Sequence, residues 1–224
     1  YYEEDASYSK ICLNMRQKPN LPIMINNITQ YEPRTELIVD EAYKCLLDKR
    51  KILILSDRRD HLKSLKYKFD ILTESIWLLM YIKKQKLIFN DTIWKCILSF
   101  YCNNTLYTSG FYLGGMKQRD LEQTERCNII LGTFSMASEG FDCKYPLNTI
   151  ILGSPKSNIE QAVGRILRQE KDNIKKIPLV IDINDQFSVF SKQTIKRIKF
   201  YKKNKYDITR YDKELNLLEE MTDK

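Results

Sequence analysis

Ile52-Leu53-Ile54-Leu55 is a four-residue run without a polar member, closed by Ser56-Asp57. Successive side chains of a strand point to opposite faces. A strand apolar at every position therefore has both faces covered, as in a parallel sheet lying between layers of helices. The surrounding sequence obeys that constraint. Leu37, Ile38, Ala42, Cys45 and Leu46 recur at helical spacing and predict a helix from Thr35 to Asp48. A second helix is expected over Arg58 to Phe69. Further on, strands are expected at Phe111–Leu113, Asn128–Thr133, Leu147–Leu152 and Leu179–Ile183. Helices alternate with them at Lys117–Glu125, Asn158–Gln169 and from Phe187 onward. Strands and helices in alternation argue for an α/β fold.

Residues 1–33, with Pro19, Pro22 and Pro33 and several asparagines, read as a lead-in segment packed on something else. Residues 73–108 hold both tryptophans, Trp77 and Trp94, and read as an amphipathic helical insertion; residues 204–224 form a tail. The chain begins at Tyr1, so we expect it to be a piece of a longer polypeptide.

Composition narrows the function classes. With 43% hydrophobic and 29% charged residues the chain is neither disordered nor fibrous. No run approaches the roughly 18–20 apolar residues of a membrane span, and no secretory signal opens the sequence. Lysine and arginine number 37 against 29 acids, a net charge of +8, which suggests a polyanionic partner without naming one. The six cysteines include no C-x2-C spacing, which favours reduced thiols in an intracellular compartment over a disulfide framework. Cys96 and Cys102 are read as isolated thiols, with a zinc site completed by distant residues as the alternative. The single histidine, His61, removes most metal-hydrolase and Ser-His-Asp readings.

Ligands of open parallel sheets gather at the carboxyl ends of the strands. Three such ends stand out. Ser56-Asp57-Arg58-Arg59 is either a helix N-cap with solvated arginines or a ligand loop. The stretch from Gly132 and Thr133 through Ser138-Glu139-Gly140-Phe141-Asp142 is rich in small and hydroxyl-bearing residues. It reads as an ordinary polar loop or as donors for phosphate oxygens. Ser157-x-x-Glu160 has the form of a capping box, placing a helix start near Asn158. On that helix Gln161, Arg165 and Arg168 fall within about 60° of one another, bordered by Gly164 and without a neutralising acid. This face is either solvated or suited to a phosphate group presented from outside. On the last helix Lys192, Lys196, Lys199 and Lys203 share one face, a positive stripe usable for a nucleic-acid backbone or simply solvated. Gly114-Gly115-Met116-Lys117 is no P-loop, and no acidic magnesium motif follows a buried strand.

Taken in order, Ile52–Arg58, Gly114-Gly115-Met116, Gly132–Asp142 and Gln161-Ala162-Val163-Gly164-Arg165-Ile166-Leu167-Arg168 resemble motifs IV, IVa, V and VI of the second RecA-like lobe of superfamily 2 helicases. The composition and the tail most resemble DNA helicases of nucleocytoplasmic large DNA viruses, relatives of the poxvirus transcript-release and phage branch-migration helicases. The resemblance spans 34–72 and 109–203. It implies a RecA-like three-layer α/β/α lobe with a mainly parallel sheet, the helical insertion and a C-terminal helical tail.

It also implies roles. Arg165 and Arg168 would be arginine fingers on the γ-phosphate of ATP, and Gln161, Gly164, Gly140 and Asp142 would meet the nucleotide. Ser56, Asp57, Arg58, Gly114, Gly115 and Thr133 would line the nucleic-acid track, together with the lysine stripe. ATP with Mg2+ would be held mainly by an N-terminal lobe of the same polypeptide. This segment alone is therefore expected to have no ATPase. DNA is expected rather than RNA, the 73–108 insertion could receive a protein partner, and the location would be host cytoplasm or virion. A non-catalytic nucleic-acid-binding or protein-interaction module is the alternative.

Overall fold

The computed structural model describes residues 8–84, 107–139, 141, 143–164, 176–212 and 216–221, with the backbone alone at 72–84 and 139. Five strands form one sheet: β1 (Ile52–Leu55), β2 (Ser109–Tyr112), β3 (Ile129–Gly132), β4 (Thr149–Leu152) and β5 (Leu179–Asp182). Their order is β2-β3-β1-β4-β5 and every pairing is parallel. β1, β3 and β4 are buried at every position, in keeping with their apolar runs Ile52–Leu55, Ile129–Leu131 and Ile150–Leu152.

Alternation along β1 divides the core. Ile52 and Ile54 pack with Ile38, Ala42, Cys45, Leu62, Leu65 and Phe69, the inner faces of α2 (Glu32–Leu47) and α3 (Arg59–Lys84). Leu53 and Leu55 pack on the other side with Leu121, Phe134, Ala137, Ala162, Val163 and Tyr201. Those residues belong to α4 (Gln118–Thr124), α5 (Phe134–Glu139), α6 (Glu160–Val163) and α7 (Ser188–Lys203). The result is the expected three-layer α/β/α arrangement.

Five local expectations are revised. The lead-in segment contains a helix, α1 (Leu21–Gln30), and α2 starts at Glu32 rather than Thr35. Pro22 and Pro33 sit in first turns, where a missing N–H costs no intrahelical bond, so they start helices instead of breaking them. α3 runs 26 residues to Lys84, so the 73–108 segment begins as its continuation; no Gly or Pro stops it after Phe69. The expected loop after β3 is in part helix α5. The capping box does not form: α6 begins at Glu160 with Ile159 as N-cap, and Asn158 Oδ1 accepts the Glu160 N–H at 3.3 Å while Ser157 is exposed. The C-terminal tail is an antiparallel hairpin of β6 (Ile208–Tyr211) and β7 (Leu217–Met221), not a helix. Along β6 the half-buried Ile208 and Arg210 alternate with the exposed Thr209 and Tyr211, and Ile208 packs against the core. Trp94, Cys96, Cys102 and the side chain of Trp77 lie outside the described residues.

Candidate functional site

The chain leaves β1 for β2, returns through β3, then crosses β1 to reach β4 and β5. The helix after β1 packs on one face of the sheet and the helices after its neighbours β3 and β4 pack on the other, the switch point where parallel sheets open a crevice at their carboxyl ends. The loops after β1, β2, β3 and β4 converge there.

After β1 the three expected track residues have different fates. Ser56 is fully buried; its Oγ accepts the Arg58 N–H at 3.2 Å and lies 3.1 Å from His61 Nδ1. It anchors the start of α3 and has no exposed surface for an outside strand to touch, unlike the track position expected of it. Asp57 is half-buried: its N–H donates to Ser154 Oγ at 2.9 Å and its carboxylate pairs with Lys156 Nζ at 2.8 Å. Arg58 is half-buried and turns toward α1, donating to the Pro22 carbonyl at 3.1 Å, to its neighbour's carbonyl at 3.2 Å and to the Asn26 side chain.

After β2, Leu113-Gly114-Gly115-Met116 is a turn closed by Met116 N–H to Leu113 O at 3.3 Å. Gly115 has φ +88° and open space around the position of a Cβ. A type II turn needs glycine at that point, and the exposed backbone leaves room for another chain to approach. Arg59 donates to the Gly114 carbonyl at 3.3 Å. After β3, Thr133 caps α5: its carbonyl accepts the Ala137 N–H at 3.1 Å, and its Oγ1 lies 3.1 Å from Ser135 Oγ.

Lys156, which no motif singled out, joins these loops. Its amine pairs with Asp57 and lies 5.4 Å from the Phe134 ring centroid, while its own loop leads into α6. Only the fold could reveal it, because its partners are 99 and 22 residues away in sequence. Arg34 and Asp185 were likewise missed; they form a pair whose side chains are both 1% exposed. An arginine on an otherwise ordinary helix carries no sequence sign of burial. His61 is also interior, and burial, reinforced by the Arg34 charge, pushes its pKa from 6.5 down to about 3. The imidazole is thus neutral at ordinary pH.

No known family profile matches the chain. A protein of Acanthamoeba polyphaga mimivirus, named as an ATP-dependent RNA helicase, is 45% identical over 113 residues, 49% of this chain and 21% of the relative. A protein of African swine fever virus with the same kind of name is 28% identical over 203 residues, 89% of this chain and 36% of its own length. The crystal structure of T4 UvsW superposes with a TM-score of 0.54 at 19% identity, covering 84% of this chain and 36% of that one. This likeness concerns the fold. The chain resembles the C-terminal lobe of superfamily 2 helicases, as found in large DNA viruses. It spans between about a fifth and somewhat over a third of the curated relatives it matches.

In this helicase-like lobe Gln161 is exposed on α6 and Gly164 is half-buried at its end. Arg165, Arg168, Gly140 and Asp142 lie outside the described residues. Among the described residues no group of three or more acids, histidines or cysteines could hold a metal ion. Lys192, Lys196, Lys199 and Lys203 are all exposed on α7, whose opposite face buries Phe190, Thr194, Arg197 and Tyr201. Among the described residues no helix is long and apolar enough to cross a membrane.

Proposed function

We propose that this chain is the C-terminal lobe of an ATP-dependent helicase or translocase, working against an N-terminal RecA-like lobe of the same polypeptide. The observation that carries this reading is the convergence of the motif IV, IVa and V loops at the carboxyl edge of one parallel sheet, at its switch point. The motif VI segment begins on α6 with Gln161.

ATP, when bound with Mg2+ chiefly by the other lobe, supplies the γ-phosphoryl whose transfer to water drives the cycle. Toward it this chain would present Arg165 and Arg168, with Gln161, Gly140, Asp142 and Gly164 around them. Guanidinium groups there stabilise charge on the transferring phosphoryl, an effect on the order of 10³–10⁵ in rate in other phosphoryl-transfer enzymes. At the sheet edge Asp57, Arg58, Thr133 and the Gly114-Gly115 turn would grip one nucleic-acid strand, and the α7 lysines would neutralise phosphates. At Gly115 the backbone would be open to a sugar-phosphate chain, since nothing lies within 4 Å of the position a Cβ would take. Closing and opening of the lobes would alter that grip. The names of the viral relatives favour RNA as the strand, where the sequence alone suggested DNA.

In the full-length polypeptide, Arg168→Ala should lower nucleic-acid-stimulated ATP hydrolysis by at least about 10³-fold while leaving nucleic-acid binding in place. Comparing stimulation by matched single-stranded DNA and RNA in the same assay assigns the strand. Wild-type turnover in Arg168→Ala would overturn the arginine-finger assignment.

A further inference from the structure

The loop between β4 and α6, residues 153–158, is held from both sides by buried guanidinium groups. Arg34 of α2 grips both oxygens of Asp185, with Nε at 2.8 Å and Nη2 at 3.0 Å, and extends Nη1 to the Gly153 carbonyl at 2.6 Å. Arg197 of α7 binds Asp182 through Nε at 2.7 Å and Thr194 through Nη2 at 3.1 Å, and extends Nη1 to the Lys156 carbonyl at 2.8 Å. Arg34 and Arg197 are 0% and 2% exposed. Each fork divides its donors in the same way, one arm to a carboxylate at or after the end of β5 and another to a main-chain carbonyl of this one loop. The planar guanidinium can do this because its five donors have fixed directions; a lysine ammonium cannot span both acceptors in one geometry.

The loop held in this way is where the site loops meet. Ser154 Oγ fixes the Asp57 amide, Lys156 Nζ pairs with the Asp57 carboxylate and covers Phe134, and the loop ends in α6. Arg197 sits on the inner face of the helix whose outer face carries the lysine stripe. We infer that Arg197 is a positioning residue: by fixing the Lys156 carbonyl it sets the place of α6, and so of Gln161 on it, relative to the loops after β1 and β3. The inference rests on the helicase reading above. Misplacing a reacting group by about 1 Å can cost on the order of 10²-fold in rate, so a small release of this loop has a measurable consequence.

The test is Arg197→Lys in the full-length polypeptide, alongside Arg168→Ala and the exposed α7 control Ile195→Ala. Arg197→Lys keeps a cation beside Asp182 but gives up the bond to the loop. Its kcat for ATP hydrolysis at saturating nucleic acid should fall by about tenfold or more. KM for ATP and the nucleic-acid Kd should move by less than about twofold, at a temperature well below the unfolding midpoint. A purely structural role would lower the midpoint without selectively lowering kcat. If Arg197→Lys loses its cooperative unfolding transition, Asp182→Asn serves instead, since it removes the carboxylate that orients the guanidinium, and the same split is expected. Unfolding of both variants would overturn the positioning role in favour of a structural one. Loss of turnover in Arg168→Ala with unchanged kcat in Arg197→Lys would overturn this inference alone. Unchanged turnover in Arg168→Ala would overturn the arginine-finger assignment and this inference with it, and a full-length polypeptide without nucleic-acid-stimulated hydrolysis would overturn the helicase reading.

Discussion

Replacing Asp185 by alanine would leave the Arg34 guanidinium inside the protein with two of its donors facing an empty carboxylate position. In the native chain those donors sit 2.8 and 3.0 Å from Asp185, both side chains are 1% exposed, and Tyr8 Oη donates to the same carboxylate at 3.2 Å. Taking one partner from a buried ion pair costs about 3–5 kcal/mol, because the remaining charge has been stripped of water and has nothing in exchange. A loss of that size in a domain of this length lowers Tm by roughly 10 °C. Urea and thermal unfolding followed by circular dichroism measure it directly.

The double variant Arg34→Met with Asp185→Ala separates the cause. It removes the orphaned charge, so it should be clearly more stable than Asp185→Ala alone, although the Gly153 carbonyl loses its donor. A loss below about 1 kcal/mol in Asp185→Ala would refute the reasoning, which places the charge in a desolvated site. A double variant less stable than the sum of the singles would refute it equally.

Two further outcomes are expected. His61 stays neutral in the fold because burial lowers its pKa from 6.5 to about 3. Between those values the unfolded chain binds one more proton than the native one. The contribution is therefore complete above about pH 6.5 and lost as pH falls toward 3, with a slope of about 1.4 kcal/mol per unit. His61→Phe should flatten that slope in urea midpoints measured from pH 7 to 4, and identical slopes would count against it. In the lysine stripe, replacing Lys192 and Lys199 together by glutamine should reduce the slope of log K against log salt by about 1.4–1.8 if both neutralise phosphates. An unchanged slope in a filter-binding titration would remove the stripe from the interface.

The sheet was legible because its signal is local. Ile52–Leu55 and Asn128–Gly132 announce strands covered on both faces by composition alone, and the structure places them side by side. The motif order was legible for the same reason, since each motif occupies a contiguous stretch. Helix starts were less so. Ser157 and Glu160 have the form of a capping box, yet Pro155 and Ile159 are buried against the core and that packing sets where α6 begins. Ser56 reads from sequence as a ligand-facing hydroxyl, but one turn of backbone puts it beside His61 inside the protein.

The sequence by itself determined the layers: apolar period and run length decide which segments pair as strands and which faces the helices bury, because transfer of those side chains from water dominates locally. It also determined the residue types available at each strand end. Only the tertiary structure decided which of them meet. Arg34 with Asp185 and Lys156 with Asp57 are 151 and 99 residues apart, and nothing in the neighbourhood of either partner marks it as paired. An isolated charge looks like a surface residue in sequence. It becomes interior only when the fold brings an opposite charge and a carbonyl within hydrogen-bond reach, since without them the cost of leaving water would not be met.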